Sequence, residues 1–104
     1  MYRATTPVHT FTLPSDTSVY SEIQVTYKQK NVLLVKHDQD NTLPEGMTLD
    51  GKNVIIRLTQ EESLLFDKGE VHAQIRVMTG GGDVMASQKF TVQVNTCYSE
   101  DILE

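Results

Sequence analysis

The chain has 104 residues, with 9 Lys and Arg against 14 Asp and Glu, a net charge of −5 and a hydrophobic content of 38%. That length supports one core and not two, and scattered bases in an acidic chain argue against binding a phosphate backbone or an anionic membrane surface. No apolar run approaches the ~18 residues of a spanning helix, the first seven residues lack the apolar stretch of a signal peptide, and the lone Cys97 forms no internal disulfide, which suits a reducing cytosol or a particle assembled there.

The β-branched excess of 11 Val, 5 Ile and 12 Thr over 3 Ala favours strands over a helix bundle. Alternation with period two dominates the chain. His9, Phe11 and Leu13 share one face of a first strand, with Thr10 and Thr12 on the other. Pro14-Ser15-Asp16 ends it, because proline cannot donate to a ladder. Ile23, Val25 and Tyr27 then alternate with Glu22, Gln24, Thr26 and Lys28, a strand with one wet face, and Gln29-Lys30-Asn31 turns the chain. Val32-Leu33-Leu34-Val35 is continuously apolar, so either Val32 and Leu34 or Leu33 and Val35 face outward. The polar stretch 37–46, with Pro44, reads as loop.

Met47-Thr48-Leu49 and a strand from Lys52 to Leu58 flank Asp50-Gly51, a tight hairpin signal. Thr59-Gln60-Glu61-Glu62 fits a capping box, with the Thr59 hydroxyl accepting from the Glu62 N–H and the Glu62 carboxylate reaching back. Ser63-Leu64-Leu65-Phe66 completes one or two helical turns, and Leu64, Leu65 or Phe66 must plug the core, since so short a helix cannot stand alone. Val71, Ala73, Ile75 and Val77 alternate next. After Gly80-Gly81-Gly82-Asp83, a second alternating face holds Val84, Ala86, Phe90, Val92 and Val94, with Gln88 the exception. A turn centred on Gly81-Gly82 keeps both strands in phase and sets Met78 opposite Met85 on the outer face. The acidic tail 99–104 is expected to fray or to form a short docking segment.

These elements predict a single domain over 1–104: an all-β, antiparallel immunoglobulin-like sandwich of about seven strands with one helical turn near residues 60–66.

No catalytic, cofactor or metal site emerges. His9, His37 and His72 are the only imidazoles; His9 and His72 could meet across a sheet, yet no second sulfur or near carboxylate completes a zinc set. Asp38-Gln39-Asp40 opens like a calcium loop, but Leu43 and Leu49 stand where Gly and Glu are needed. The Gly80-Gly81-Gly82 run leads into a strand rather than the helix a phosphate cradle requires. Adjacent Glu61 and Glu62 do not face each other on a helix, and Cys97 has no base near it in sequence. Apolar residues at wet positions are therefore the candidate partner surface: Met78, Met85, Ile55 and, from the continuous run, Leu34.

Three stretches carry a family resemblance: Tyr2-Arg3-Ala4-Thr5-Thr6-Pro7 with Phe11-Thr12-Leu13-Pro14 and Asp16; Leu58-Thr59-Gln60-Glu61-Glu62 with Leu64 and Phe66; and Gln74-Ile75-Arg76-Val77-Met78-Thr79 followed by Ala86-Ser87. Together they resemble small prophage-encoded proteins of Gram-positive bacteria. The second half is also similar in pattern to the immunoglobulin-like N-terminal domain of phage baseplate upper proteins, although those continue into further domains. The resemblance implies a non-enzymatic structural or accessory protein of a phage particle, tail or baseplate, made in the host cytoplasm and assembling with itself or with virion proteins. The alternative is a carbohydrate- or peptide-binding module, for which a chain without Trp offers few rings to stack on.

Overall fold

A computed structural model describes residues 1–39, 42–87 and 89–104. In chain order its elements are β1 (Val8–Thr12), a 3-10 turn (Thr17–Val19), β2 (Tyr20–Gln29), β3 (Val32–Asp38), β4 (Met47–Asp50), β5 (Asn53–Arg57), α1 (Gln60–Ser63), β6 (Gly69–Thr79), β7 (Val84–Ala86) and β8 (Phe90–Val94). They form an all-β sandwich of two antiparallel sheets, one ordered β1-β5-β4 and the other β3-β2-β6-β7, with β8 also on β6. Hairpins join β2 to β3, β4 to β5 and β6 to β7; the links β1 to β2, β3 to β4 and β5 to β6 cross between sheets, and β7 to β8 stays within the larger one. This order is the B-E-D and C′-C-F-G order of an immunoglobulin-type sandwich.

The alternating residues fill the space between the sheets. Ile23, Val25 and Tyr27 on β2 lie opposite Val77, Ile75 and Ala73 on β6, and all six are buried. Phe11, Val54 and Ile56 close over them from the smaller sheet. The capping box forms as its residues dictate, with Thr59 Oγ1 accepting from the Glu62 N–H at 3.1 Å and Glu62 Oε1 accepting from the Thr59 N–H at 2.9 Å. Of the three candidate plugs, Phe66 is the one fully buried, while Leu65 is exposed.

Two readings of register change. Met78 lies opposite Val84, not Met85, and Met85 lies opposite Val77. The glycine loop closes with three residues, Thr79 N–H donating to Asp83 O at 2.9 Å, and Gly82 takes the left-handed φ of +90° that ends such a loop. An odd loop inverts the strand after it. Val84 and Ala86 therefore turn outward and Met85 inward, where it stays 48% exposed on the sheet's edge. The register on β6 then shifts by one residue between β7 and β8, so Phe90, Val92 and Val94 face the core again. The expected seventh strand is thus two short ones on the same edge of β6; Gln88, the exception to its alternation, lies outside the described residues.

The second change concerns β3, which runs on through His37 and Asp38, residues that read as loop. Its inward side chains are Val32, Leu34, Lys36 and Asp38, because they lie opposite the inward residues of β2. Leu34 is consequently packed against the core and does not offer a partner surface. Apolar residues give way to charged ones halfway along the inner face, which hid the strand. Inward charges on an edge strand discourage pairing with another chain.

The tail is docked rather than frayed. Both atoms of the Gln60 side-chain amide engage the backbone of Leu103 at 2.8 Å, and Glu100 pairs with Arg3. Arg3 also donates to the carbonyls of Phe66 and Leu64, tying the N-terminal arm to the chain that follows α1.

Candidate binding face

Each strand of the larger sheet turns alternate side chains away from the core, and the smaller sheet covers only the other side. On the uncovered face, β3 presents Leu33, Val35 and His37; β2 presents Glu22, Gln24, Thr26 and Lys28; β6 presents His72, Gln74, Arg76 and Met78; β7 presents Val84 and Ala86. Leu33 and Val84 are about equally open, at 59% and 60% exposure. Four large apolar side chains thus stand on this face in two pairs, Leu33 and Val35 beside Lys28 and Thr26, and Met78 and Val84 beside Glu22 at the far end.

Two hollows lie on this face. The larger, of about 540 Å³, is lined by Lys28, Lys30, Arg76 and Lys89, with His72, Thr26 and Gln74 between them. The smaller, of about 140 Å³, is lined by Glu22, His37, Arg76, Met78 and Val84 among others. Arg76 lines both, and its Nε donates to Gln24 Oε1 at 3.0 Å, which fixes the guanidinium across β2 and β6. Gln74, which lines the larger hollow, donates to Ser87 O at 3.0 Å. His37 Nε2 lies 2.9 Å from Glu22 Oε1 at the rim of the smaller one.

Of the four partner-surface candidates singled out by sequence, only Met78 lines either hollow. Ile55 sits on the outer face of the smaller sheet between Thr10 and Thr48, Met85 faces inward, and Leu34 packs against the core. The four do not form one patch. The cations were missed because Lys28, Lys30, Arg76 and Lys89 are far apart in sequence; outward parity on β2 and β6 was the available signal, and the pairing of Lys28 with His72 completes it.

The other candidates have structural roles. His9 and His72 do not meet: His9 faces the interior from β1, while His72 is exposed on the outer face of β6. His9 Nδ1 lies 2.8 Å from the Tyr27 hydroxyl. Burial, and after it the positive N-terminus, holds the His9 imidazole below its ordinary value. Asp38 is buried on β3, and Asp40 lies outside the described residues. Among the described residues no three His, Cys, Asp or Glu side chains come together as metal ligands. Glu62 is drawn to Lys36, with Nζ to Oε2 at 2.6 Å. Partial burial by itself would raise its carboxyl, but contacts with Lys36 and Thr59 bring it below the ordinary value. The Cys97 thiol donates to Arg3 O at 3.4 Å. None of the described helices is long and apolar enough to cross a membrane.

Compared with known proteins, the chain matches no family model, no curated protein and no solved structure.

Proposed function

We propose that this protein is a non-enzymatic assembly protein that docks other proteins through the outer face of its larger sheet. The observation that carries this reading is the two uncovered apolar pairs, Leu33 with Val35 and Met78 with Val84, at opposite ends of a face that also carries a cluster of cations. Apolar area supplies the driving force of association, and charge around it selects the partner. The resemblance to small prophage proteins supports placing this assembly in a phage tail or baseplate, built in the host cytoplasm, with the protein itself or virion proteins as partners.

Multi-angle light scattering of the pure protein, alone and mixed with tail proteins encoded beside it, tests the reading. A complex weakened by Leu33→Lys with Val84→Lys supports it. A strict monomer that binds none of them overturns it. The carbohydrate alternative has less support, because among the described residues lining the two hollows there is no Phe, Tyr or Trp for a sugar to stack on.

A further inference from the structure

The larger hollow raises a question of charge. The protein is acidic, at −5, yet four of its nine Lys and Arg residues line this one depression. No carboxylate is among the described residues lining it. The ion pairs among the described residues lie elsewhere, joining Arg3 to Glu100 and Lys36 to Glu62. Lys28, Lys30, Arg76 and Lys89 thus line one space that holds no carboxylate, while Arg76 also borders the smaller hollow with Glu22. Cations gathered around one depression raise the local positive potential, which favours an anion that spans them.

We propose that this hollow seats a short, extended acidic peptide segment of the assembly partner; the inference rests on the reading of this face as a protein-docking surface. Length comes first. Lys28 lies opposite His72, and Arg76 lies four residues further along β6, about 13 Å at the rise of a strand. An extended peptide with carboxylates at alternate positions covers that span in about five residues. Geometry comes second. Gln24 engages Arg76 through Nε, which leaves the two terminal nitrogens of the fork for a bidentate carboxylate. Lys28, Lys30 and Lys89 supply flexible point charges around it.

Other anions fit less well. Single-stranded nucleic acid gains its sequence-tolerant affinity from rings on which bases stack, and none of the described lining residues is Phe, Tyr or Trp. A second copy of this chain would offer its acidic tail, but Glu100 is held by Arg3 and the Leu103 backbone by Gln60.

Fluorescence anisotropy with fluorescein-labelled hexaglutamate and, separately, hexathymidylate tests the proposal at low and at physiological salt. The variants are Lys28→Gln/Arg76→Gln/Lys89→Gln and, as a control on the smaller sheet, Lys52→Gln/Arg57→Gln. The substitutions are all on exposed residues, and circular dichroism checks that the fold is kept. Hexaglutamate should bind the unaltered protein, lose about tenfold or more in affinity with the triple variant, and change less than about twofold with the control. Absent hexaglutamate binding, equal weakening by both variants, or tighter binding of hexathymidylate overturns the proposal. So does self-association in light scattering that the triple variant abolishes. If Leu33→Lys with Val84→Lys breaks a complex with a tail protein while the triple variant leaves it intact, the docking reading stands and the acidic-segment proposal fails.

Discussion

Nδ1 of His9, on the smaller sheet, lies 2.8 Å from the hydroxyl of Tyr27, on the larger sheet. This hydrogen bond crosses the interior between the two layers. Tyr27 is fully buried, so its hydroxyl needs a partner inside the protein. The two rings also approach to 5.5 Å between centroids. Desolvation, and after it the nearby Glu62 charge, raises the Tyr27 phenol, so it stays a neutral partner. Tyr27→Phe should leave His9 without its buried partner and lower stability by about 1–2 kcal/mol in urea unfolding.

The same pair sets an acid dependence. Folded His9 titrates below its ordinary 6.5, so the unfolded chain takes up a proton first as pH falls. Stability should therefore decline from about pH 6.5 down to the folded value and then level off. Glu62 adds a second, lower step: its stabilisation is present above the ordinary 4.5 and is lost as pH falls through its depressed folded value. His9→Gln should remove the upper step and keep the lower one. Urea midpoints measured from pH 7.5 to pH 3.5 check both; an unchanged upper step in the variant would assign it to another group.

Lys36 enters the sandwich from edge strand β3, pairs with Glu62 and donates to Glu45 O at 3.0 Å. Lys36→Met should cost about 3 kcal/mol, near the low end for breaking a buried pair because Glu62 keeps some contact with water. Adding Glu62→Gln should recover part of that loss, since the stranded charge is then gone; a double-mutant cycle measures the coupling. The single variant should also aggregate more readily on storage, having lost an inward charge that guards the edge.

Gly46 has φ of +81°, and a Cβ there would stand 2.2 Å from the Arg57 carbonyl oxygen. Its own carbonyl accepts from the Arg57 N–H at 2.7 Å, so the segment is pinned where it is. Gly46→Ala should destabilise by about 2 kcal/mol or more, the left-handed penalty plus the clash. At Gly80 a Cβ meets nothing within 4 Å and φ is not positive, so Gly80→Ala should be nearly neutral. Thermal unfolding of the two variants side by side checks the contrast.

Arg3 joins three segments through Phe66 O, Leu64 O and Glu100. Arg3→Ala should release both terminal segments without opening the core, whose residues it does not replace. Faster amide exchange at residues 95–104 with unchanged exchange in β2 and β6 is the expected pattern; uniform acceleration would place Arg3 in global stability instead.

Much was legible in the chain before folding. Strict alternation in Ile23-Val25-Tyr27 and Val71-Ala73-Ile75-Val77 marked the two central strands and their inner faces, and the capping box named its own bonds. Those features depend on residues within a few positions of one another, so local stereochemistry decides them. What lay beyond reach depended on partners distant in sequence. The odd glycine loop turned Val84 outward and Met85 inward, and pairing with β2 showed which half of Val32-Leu33-Leu34-Val35 meets the core. The cationic hollow is the clearest case. Sequence determined that this acidic chain holds nine bases; only the stacking of β2 beside β6, and the break before β8, gathered four of them on one face. Alternation tells each side chain which way to point, but neighbours across a sheet are chosen by long-range pairing, and a binding surface is made of neighbours.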